Sequence, residues 1–375
     1  MKQILIAILL MAAWLCSVAR AQSQWSMGCY QATGVTPALP VSAIQWNGLT
    51  HVSHNSAQVN ADGTLDLSTE QVSDTAVALV AAAHAHNVKV LLALANPWNG
   101  PATNFQQAVT NHLSALVTNI MTVVNTYGYD GVDIDWEPFN ASKNGSAMTA
   151  LAQALRLALG SRLLTIDFTV NDAKFCNTVQ SSFDRINVMT YAMTGTWNAP
   201  NGLWYNAALH CSGSDSAYLS LDTAKTRYLA AGIPASKLNL GLPFYGTRWI
   251  GGVLAADPTQ GIGGPRQVWQ KAHPPTGAQI QYNSVLSLIT SSNYTWDPLA
   301  MVPYINHLGT APPDYWYITY DNPQSIQAKV QYIIAQNLGG WIIWNIGFDY
   351  LPGDPHPHPL LDAVQTGVLA ADHQR

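Results

Sequence analysis

The segment with the clearest chemical potential is residues 129–137, whose sequence YDGVDIDWE holds four carboxylates in an otherwise apolar run. Only 10% of the chain is charged, so an acidic composition does not account for the cluster. Alternate side chains of a β-strand point to opposite faces, which places Asp133, Asp135 and Glu137 on one face. Three acids on one side of a buried strand repel one another and cost desolvation free energy. The segment therefore indicates a site that does chemistry or binds a metal.

The elements around this run predict an α/β fold. Eight short apolar runs alternate with helical stretches such as 70–86, 104–127 and 145–159, a pattern typical of βα units and a parallel sheet. The predicted strands are 27–31, 49–52, 89–95, 131–136, 163–169, 186–191, 238–242 and 340–344. Eight such units favour a TIM-type (β/α)₈ barrel, whose active site forms at the carboxyl ends of the strands. Glu137 ends the fourth strand, where a catalytic residue of such a barrel belongs.

One connection is longer than a single βα unit requires. The seventh and eighth predicted strands are separated by far more residues than one helix and its loops need. The stretch 250–315 keeps many aromatic residues and predicts a small inserted α+β domain. The predicted organisation is a signal peptide at 1–21, a catalytic barrel at 22–249, the insertion at 250–315, and the last barrel strand with a C-terminal helix at 316–375.

Composition and charge exclude one class of partner. The formal net charge is −5 and no cluster of Lys and Arg exists, so nucleic acid is not an expected partner. The chain has 13 Trp and 16 Tyr against 7 Phe. Trp and Tyr offer flat faces for sugar rings and a polar edge for hydroxyls. Large barrels also bury many Trp residues, so composition favours sugar binding and core packing equally.

The N-terminus has the pattern of a secretory signal peptide. A charged start precedes an apolar run at 4–15 and a small-x-small cleavage site at 19–21. The apolar run is too short to span a bilayer comfortably. We expect a mature chain that begins near Gln22, is secreted to an extracellular or periplasmic location, has no membrane attachment after cleavage, and acts as a monomer.

Three cysteines remain after cleavage: Cys29, Cys176 and Cys211. Export permits one disulfide, and we favour the pair Cys176–Cys211 because both lie in neighbouring loops of the predicted barrel. Cys29 lies in an early apolar strand and is expected to be a buried thiol. No Cys/His spacing resembles a zinc site, and we expect neither a metal nor a cofactor.

The pattern D-G-x-D-x-D-x-E at residues 130–137 resembles the active-site strand of glycoside hydrolase family 18, the retaining chitinases. Four other segments resemble the family in the right order: 240–246 its seventh strand, 250–315 its small insertion domain, 320–326 the stretch before the last helix, and 339–344 its eighth strand. The resemblance covers most of the mature chain. It implies a (β/α)₈ barrel with a small α+β insertion between strands 7 and 8.

The resemblance also implies a substrate-assisted mechanism, in which the N-acetyl group of the substrate acts as nucleophile. Glu137 would protonate the glycosidic oxygen and later activate a water. Asp135 would hold the acetamido N–H and stabilise the oxazolinium ion formed at C1. Asp133 would lie behind Asp135 and share its proton or hydrogen bond. Tyr191 would hydrogen-bond the acetamido oxygen.

Substrate contacts are implied at further positions, with chitin or chitooligosaccharides as the partner. Trp344 would form the floor of the −1 sugar site, and Met189 and Tyr245 would line it. Four tryptophans lie just past predicted strand ends and are candidates for binding substrate by stacking on sugars, although core or surface packing explains each equally well: Trp98, Trp197, Trp204 and Trp249. For two other residues of the acidic run we expect structural roles. Asp130 should fix loops through hydrogen bonds, and Trp136 should pack against helices.

Three positions depart from the family pattern. Ala192 follows Tyr191 where the family usually has an Asp that helps to hold the −1 sugar. Cys29 and Ala93 stand where the family has a Tyr and a Ser that contact the inner aspartate. Asp133 would therefore lose both partners, and we expect its environment to be more apolar, or to be filled by side chains that the sequence does not identify.

Four functions are compatible with these observations. The leading hypothesis is a secreted chitinase that hydrolyses β-1,4-linked N-acetylglucosamine polymers. A second is an endo-β-N-acetylglucosaminidase that cuts the core of N-glycans, against which the long connection argues. A third is a chitin-binding lectin with a degenerate site, motivated by Cys29, Ala93 and Ala192, although Glu137 is present. A metal site made from the four acids is weaker, because hard cations also need carbonyl and water ligands.

Overall fold

Short strands alternate with helices along the chain. The computed structural model describes residues 24–97, 101–198 and 201–372, and the statements below refer to these residues. The strands are β1 Trp25–Gln31, β2 His51–Val59, β3 Leu65–Asp66, β4 Lys89–Ala95, β5 Gly131–Asp135, β6 Leu163–Thr169, β7 Arg185–Met189, β8 Leu238–Pro243, β9 Tyr245–Ile250, β10 Thr276–Gln281, β11 Tyr294–Asp297, β12 Val302–His307, β13 Trp316–Thr319 and β14 Gly340–Trp344. The α-helices are α1 Val72–Ala85, α2 Asn104–Tyr127, α3 Ala141–Leu159, α4 Ala173–Val179, α5 Leu221–Ala230, α6 Tyr282–Leu286, α7 Pro323–Ala335 and α8 Pro359–Asp372. In these ranges no helix has both the length and the apolar character that a membrane crossing requires.

Parallel strands form a closed barrel. Within the described ranges the order around it is β1-β14-β8-β7-β6-β5-β4-β2, and β1 also pairs with β2. Trp25 lies opposite Gly340 on one side of β1, and Met27 lies opposite His51 on the other. The predicted (β/α)₈ barrel is confirmed. The short β3 adds an antiparallel partner to the end of β2.

The two faces of β5 have opposite environments. Val132 and Ile134 are fully buried in the main hydrophobic core between strands and helices. Trp136 follows the strand with the same outward direction, and its ring stacks on Phe105 of α2 at 4.5 Å between ring centroids. The intervening Asp133 is buried inside the barrel. The predicted alternation is confirmed, and the apolar face anchors the acidic one.

Local signals set the ends of the helices that flank β5. The helix α2 ends at Gly128, whose φ of 74° suits glycine because it has no Cβ. The helix α3 begins after Asn140, whose side chain accepts hydrogen bonds from the N–H groups of Ser142 and Lys143. Asn140 comes three residues after Glu137, so this cap limits the freedom of the loop that carries Glu137.

A second, antiparallel sheet occupies the connection between β8 and β14. Its strand order is β10-β9-β13-β12-β11. The sheet begins at Tyr245, separated from β8 only by Phe244, and it ends at Thr319. The sheet therefore extends beyond the predicted insertion 250–315 at both ends. Its strands β9 and β13 pair with each other, and they lie largely in segments that the sequence predicts to belong to the barrel.

The cysteines of the described chain are free thiols. The predicted Cys176–Cys211 disulfide is wrong. Cys176 is buried in the main core on α4, whereas Cys211 packs in a separate small cluster and its Sγ lies 3.3 Å from Ser220 Oγ. Cys29 is buried, as expected.

A buried ion pair fixes the junction between the second sheet and α7. Lys329 Nζ donates to Asp321 Oδ1, and the two side chains are 0% and 1% exposed. Ser325 Oγ donates to the same oxygen at 2.6 Å. The net contribution of such a pair is small, but removal of one partner leaves an uncompensated charge in the core.

We predict that Lys329→Met lowers the free energy of unfolding by about 3–5 kcal/mol, because Asp321 then stays buried without its counter-charge. Urea denaturation followed by tryptophan fluorescence measures the change. Lys143→Met is the matched control, since it removes the same charge from an exposed position of α3 and should change stability by only about 0.5 kcal/mol. Equal stabilities of the two variants would contradict a structural role for the pair.

Candidate active site

A cavity of about 420 Å³ opens at the carboxyl ends of the barrel strands. Six residues that the sequence assigned to catalysis or substrate binding line it: Asp135, Glu137, Met189, Tyr191, Tyr245 and Trp344. Asp133 is fully buried one inward position before Asp135 on β5. Trp98 lies outside the described residues. Residues far apart in the chain are therefore brought to one site by closure of the barrel.

Asp133 is held by three hydrogen bonds from different strands. Ser53 Oγ donates to Oδ2 at 2.7 Å, and both Thr165 Oγ1 and, at 3.3 Å, Asn187 Nδ2 donate to Oδ1. Of the two expectations for Asp133, the more apolar environment is wrong, and replacement of the missing partners by other side chains is what the structure shows. Ala93 is the register neighbour of Asp133 on β4, and its small side chain leaves room for Ser53 to reach across from β2. Burial raises the pKa of Asp133, although the three hydrogen bonds oppose that rise.

Asp135 differs from Asp133, because no described residue forms a hydrogen bond with its side chain. Its Oδ1 is buried and makes no hydrogen bond within the described part of the chain. Burial raises the pKa of Asp135 well above its ordinary value of 3.8, and the charges of Glu137 and Asp133 raise it further. A buried carboxyl oxygen without a partner, facing a cavity, is suited to bind a polar ligand group.

Glu137 lies at the mouth of the cavity, just beyond β5. Its backbone carbonyl accepts a hydrogen bond from Asn96 Nδ2 at 2.7 Å, and Asn96 Oδ1 accepts from the N–H of Phe105. Asn96 therefore fixes the loop of Glu137 relative to α2, a role that the sequence did not reveal. Enclosure by the cavity walls raises the pKa of Glu137, and the charge of Asp172 adds to the effect.

Tyr191 and Tyr245 form an aromatic pair beside the carboxylates. Their ring centroids are 5.9 Å apart with an interplanar angle of 73°. Burial raises the pKa of both phenols, so each hydroxyl stays neutral and available as a donor. A Cβ at Gly241 would lie 2.5 Å from Tyr191 Cε1, so the glycine of β8 is what lets the ring pack there.

The cavity contains one carboxylate that the sequence analysis did not identify. Asp167 lies on β6, lines the cavity and is 7% exposed. Its Oδ1 accepts a hydrogen bond from Asn187 Nδ2 at 2.8 Å. The available signal was the alternation of Thr165, Asp167 and Thr169 with apolar residues along β6, since polar side chains at every second position indicate an inward polar face.

The tryptophan candidates fall into two groups. Trp197 lines the cavity and is 68% exposed. Trp204 and Trp249 are buried in small clusters, in agreement with the core-packing alternative. Trp197 is therefore the described member of this set with a face available to a ligand.

Asp130 belongs to the other end of β5. Its Oδ2 lies 2.8 Å from the backbone N of Val90 and 2.8 Å from His84 Nε2. These contacts tie β5 to β4 and to α1, in agreement with the expected structural role of Asp130.

A closed (β/α)₈ barrel with clustered carboxylates at the carboxyl ends of its strands is the arrangement of a barrel glycoside hydrolase. The chain belongs to the glycosyl hydrolases family 18, whose family model matches residues 25–349.

Two relatives and one solved structure illustrate the similarity. Chitinase A1 of Niallia circulans is 30% identical over 256 residues, which cover 60% of this chain and 35% of that protein. Probable chitinase 2 of Drosophila melanogaster is 26% identical over 291 residues, covering 72% and 58%. The chain thus spans 35% and 58% of the lengths of these relatives. The crystal structure of Ostrinia furnacalis Group IV chitinase in complex with allosamidin shares the fold, with a TM-score of 0.77, 24% identity, and coverage of 93% of this chain and 100% of that chain.

The raised pKa of Asp135 has a consequence for stability. An acid with a raised folded-state pKa makes the folded state less stable above its ordinary pKa, because ionisation is easier in the unfolded chain. We predict that Asp135→Asn increases the free energy of unfolding near neutral pH, because the amide carries no charge that burial must penalise. The gain should shrink as the pH falls through the ordinary value of 3.8, below which the carboxyl becomes protonated in both states, and should grow as the pH rises towards the raised value.

Urea denaturation of both proteins from about pH 4 to about pH 8 tests this prediction. Asp62→Asn is the control, because hydrogen bonds from Thr64 lower the pKa of this exposed carboxylate and its replacement should give no gain. If Asp135→Asn were less stable than the unaltered chain at neutral pH, burial of the Asp135 charge would not destabilise the folded state, and the prediction would be wrong.

Proposed function

We propose that the chain is a retaining chitinase that hydrolyses β-1,4-linked N-acetylglucosamine polymers with the help of the acetamido group of the substrate. The observation that carries this proposal is the placement of Asp135, Glu137 and Tyr191 in one cavity, above a hydrogen-bonded Asp133. Membership of the family and the names of the relatives support the same substrate class.

In the first half of the reaction the glycosidic C1–O bond breaks. Glu137, whose raised pKa favours the protonated form, gives its proton to the departing oxygen. The acetamido carbonyl oxygen forms a new bond to C1, which produces an oxazolinium ion. Asp135 accepts the acetamido N–H and balances the positive charge, and the Tyr191 hydroxyl orients the carbonyl oxygen. Asp133, one inward position before Asp135 on β5, acts on it through its charge, which raises the pKa of Asp135.

In the second half a water attacks C1 and gives a proton to the Glu137 carboxylate, and the bond from C1 to the acetamido oxygen breaks. Two inversions at C1 give net retention. Trp344 supplies the apolar floor for the −1 sugar, Met189 and Tyr245 line its sides, and the exposed ring of Trp197 supplies a further stacking face.

The remaining features of the proposal concern location and organisation. Residues 1–21 have the pattern of a signal peptide, and we infer export of the mature chain as a monomer. The second sheet contributes Tyr245 and Gln279 to the cavity wall. We infer that it deepens the cleft for long substrates.

The chain contains two glutamates, Glu137 and Glu70. We predict that Glu137→Gln abolishes the release of soluble oligosaccharides from chitin and retains chitooligosaccharide binding, because the amide keeps the shape but cannot donate the proton. Glu70→Gln is the matched control and should retain hydrolysis. Mass spectrometry of the products from oligosaccharides of defined length, with NMR for the anomer formed first, measures activity and stereochemistry together.

The same experiment separates the alternatives. Binding of chitooligosaccharides by the unaltered chain without turnover would favour the lectin, for which Ala192 is the motivating change. Cleavage of N-glycan cores in place of chitin oligosaccharides would favour the endo-β-N-acetylglucosaminidase. Full activity of Glu137→Gln would reject the assigned acid.

A second prediction concerns pH. Asp172→Asn removes the negative charge that helps to keep the proton on Glu137, so the pKa of Glu137 should fall. The alkaline limb of the kcat/KM profile should therefore shift to lower pH. Asp184→Asn is the control, since Asp184 precedes β7 at the opposite end of the barrel and an Asn can still accept from the N–H of Leu164. An unchanged alkaline limb in Asp172→Asn would contradict the assignment of that limb to Glu137.

A further inference from the structure

Asp167 is a cavity carboxylate that the mechanism above does not use. Its side chain is 7% exposed and lines the cavity together with Asp135, Glu137 and Tyr191. Asn187 Nδ2 donates to Asp167 Oδ1 at 2.8 Å. The structure gives Oδ2 no hydrogen-bond partner within the described ranges. One oxygen is thus fixed by the protein and the other is free for a ligand.

The orientation of Asn187 is set by the next strand. Asn239 Nδ2 donates to Asn187 Oδ1 at 2.9 Å, so the amide nitrogen of Asn187 faces the carboxylates. Asp167 Oδ1 therefore acts as an acceptor, and a proton on this carboxyl group belongs on Oδ2. A protonated Oδ2 is a hydrogen-bond donor directed at the cavity.

The residues around Asp167 favour the protonated form of its carboxyl group. No Lys, Arg or His side chain is among the described residues that line the cavity. Burial raises the pKa of Asp167 well above its ordinary value, and the charges of Asp133 and Asp135 raise it further. A carboxylic acid kept neutral by an apolar, negatively charged environment can donate a hydrogen bond at neutral pH.

The position after Tyr191, next to the neighbouring strand β7, lacks the acid that the family resemblance implied. Ala192 lines the cavity with a methyl group in that place. Tyr191, Asp167 and Asp135 line the same cavity, so the three groups face a common region. The cavity therefore has a methyl group beside Tyr191 and a carboxyl group on β6.

We propose that Asp167 is a substrate-binding residue that, as a neutral carboxylic acid, donates a hydrogen bond from Oδ2 to the acetamido carbonyl oxygen of the −1 sugar. This inference rests on the proposed function. Together with the Tyr191 hydroxyl, Asp167 would give that oxygen two donors and hold it below C1. A neutral donor also accepts the N-acetylated sugar without a preference for a free amine, whereas an ionised Asp167 would favour the ammonium group of glucosamine.

Two substitutions distinguish the neutral donor from an anion. Asp167→Asn can accept from Asn187 through Oδ1 and donate from Nδ2, so it imitates the protonated acid. Asp167→Ala removes the donor. We expect Asp167→Ala to raise KM for chitotetraose about 3- to 10-fold, the range of one hydrogen bond, and Asp167→Asn to stay within about 2-fold of the unaltered chain. Asp184→Asn is the control for the loss of a carboxylate elsewhere on the barrel.

Binding as a function of pH gives a second readout. In the Glu137→Gln background, the affinity for chitotetraose should fall at alkaline pH when Asp167 is present, because an ionised Asp167 cannot donate. The Asp167→Asn version should lose less affinity over the same range. The comparison at position 167 is needed because other titratable groups face this carboxyl: Cys29, Asp133, Asp135, Tyr191 and, in the unaltered chain, Glu137.

Melting curves of all variants are recorded first, and Asp167→Val, which also lacks a donor, replaces Asp167→Ala if the alanine variant is unfolded. Normal KM in the variant without the donor would overturn this inference alone, provided that the unaltered chain hydrolyses chitotetraose. Equal losses in Asp167→Asn and Asp167→Ala, with a preference of the unaltered chain for glucosamine-containing oligosaccharides, would show that Asp167 acts as an anion and would also overturn it. Absence of binding and turnover in the unaltered chain would overturn the proposed function and this inference together.

Discussion

Several carboxylates share the interior of one closed barrel, and the electrostatic cost of holding them there is the constraint on which the rest of the structure depends. A charge moved from water into a protein interior loses several kcal/mol of solvation, and like charges add repulsion. Protonation lowers this cost, because a neutral carboxyl group carries no buried charge. Burial raises the pKa of Asp133, Asp135 and Asp167 and so favours their neutral forms. A carboxyl group that keeps its proton at neutral pH is also what acid–base chemistry needs.

Hydrogen bonds from neutral side chains stabilise the innermost acid, Asp133, inside the barrel. Ser53, Thr165 and Asn187 come from β2, β6 and β7 and converge on Asp133. They stand in for the Tyr and Ser contacts implied by the family resemblance, and Ala93 makes this possible by leaving space above β4. The support of the inner aspartate can therefore be rebuilt from other strands while the acidic strand keeps its pattern.

The second sheet completes the cavity without disturbing the acidic strand. Tyr245 starts β9 one residue after β8, so its ring is fixed against Tyr191 by the barrel itself. Gln279 lies on β10 opposite Thr247 of β9 and extends the same wall. Because the wall and the carboxylates come from different elements, the shape of the cleft and the chemistry at its base are set separately.

The sequence by itself determined the eight barrel strands and the inward direction of Asp133, Asp135 and Glu137, because strand alternation and helical periodicity are local properties. Tertiary structure decided what surrounds them. Ser53 and Asp133 are 80 positions apart, and Asp167 joins the cavity only after β6 takes its place beside β5. Hydrogen-bond partners, shared cavities and cysteine separations depend on which strands become neighbours when the barrel closes, and no local pattern in the chain encodes those distances.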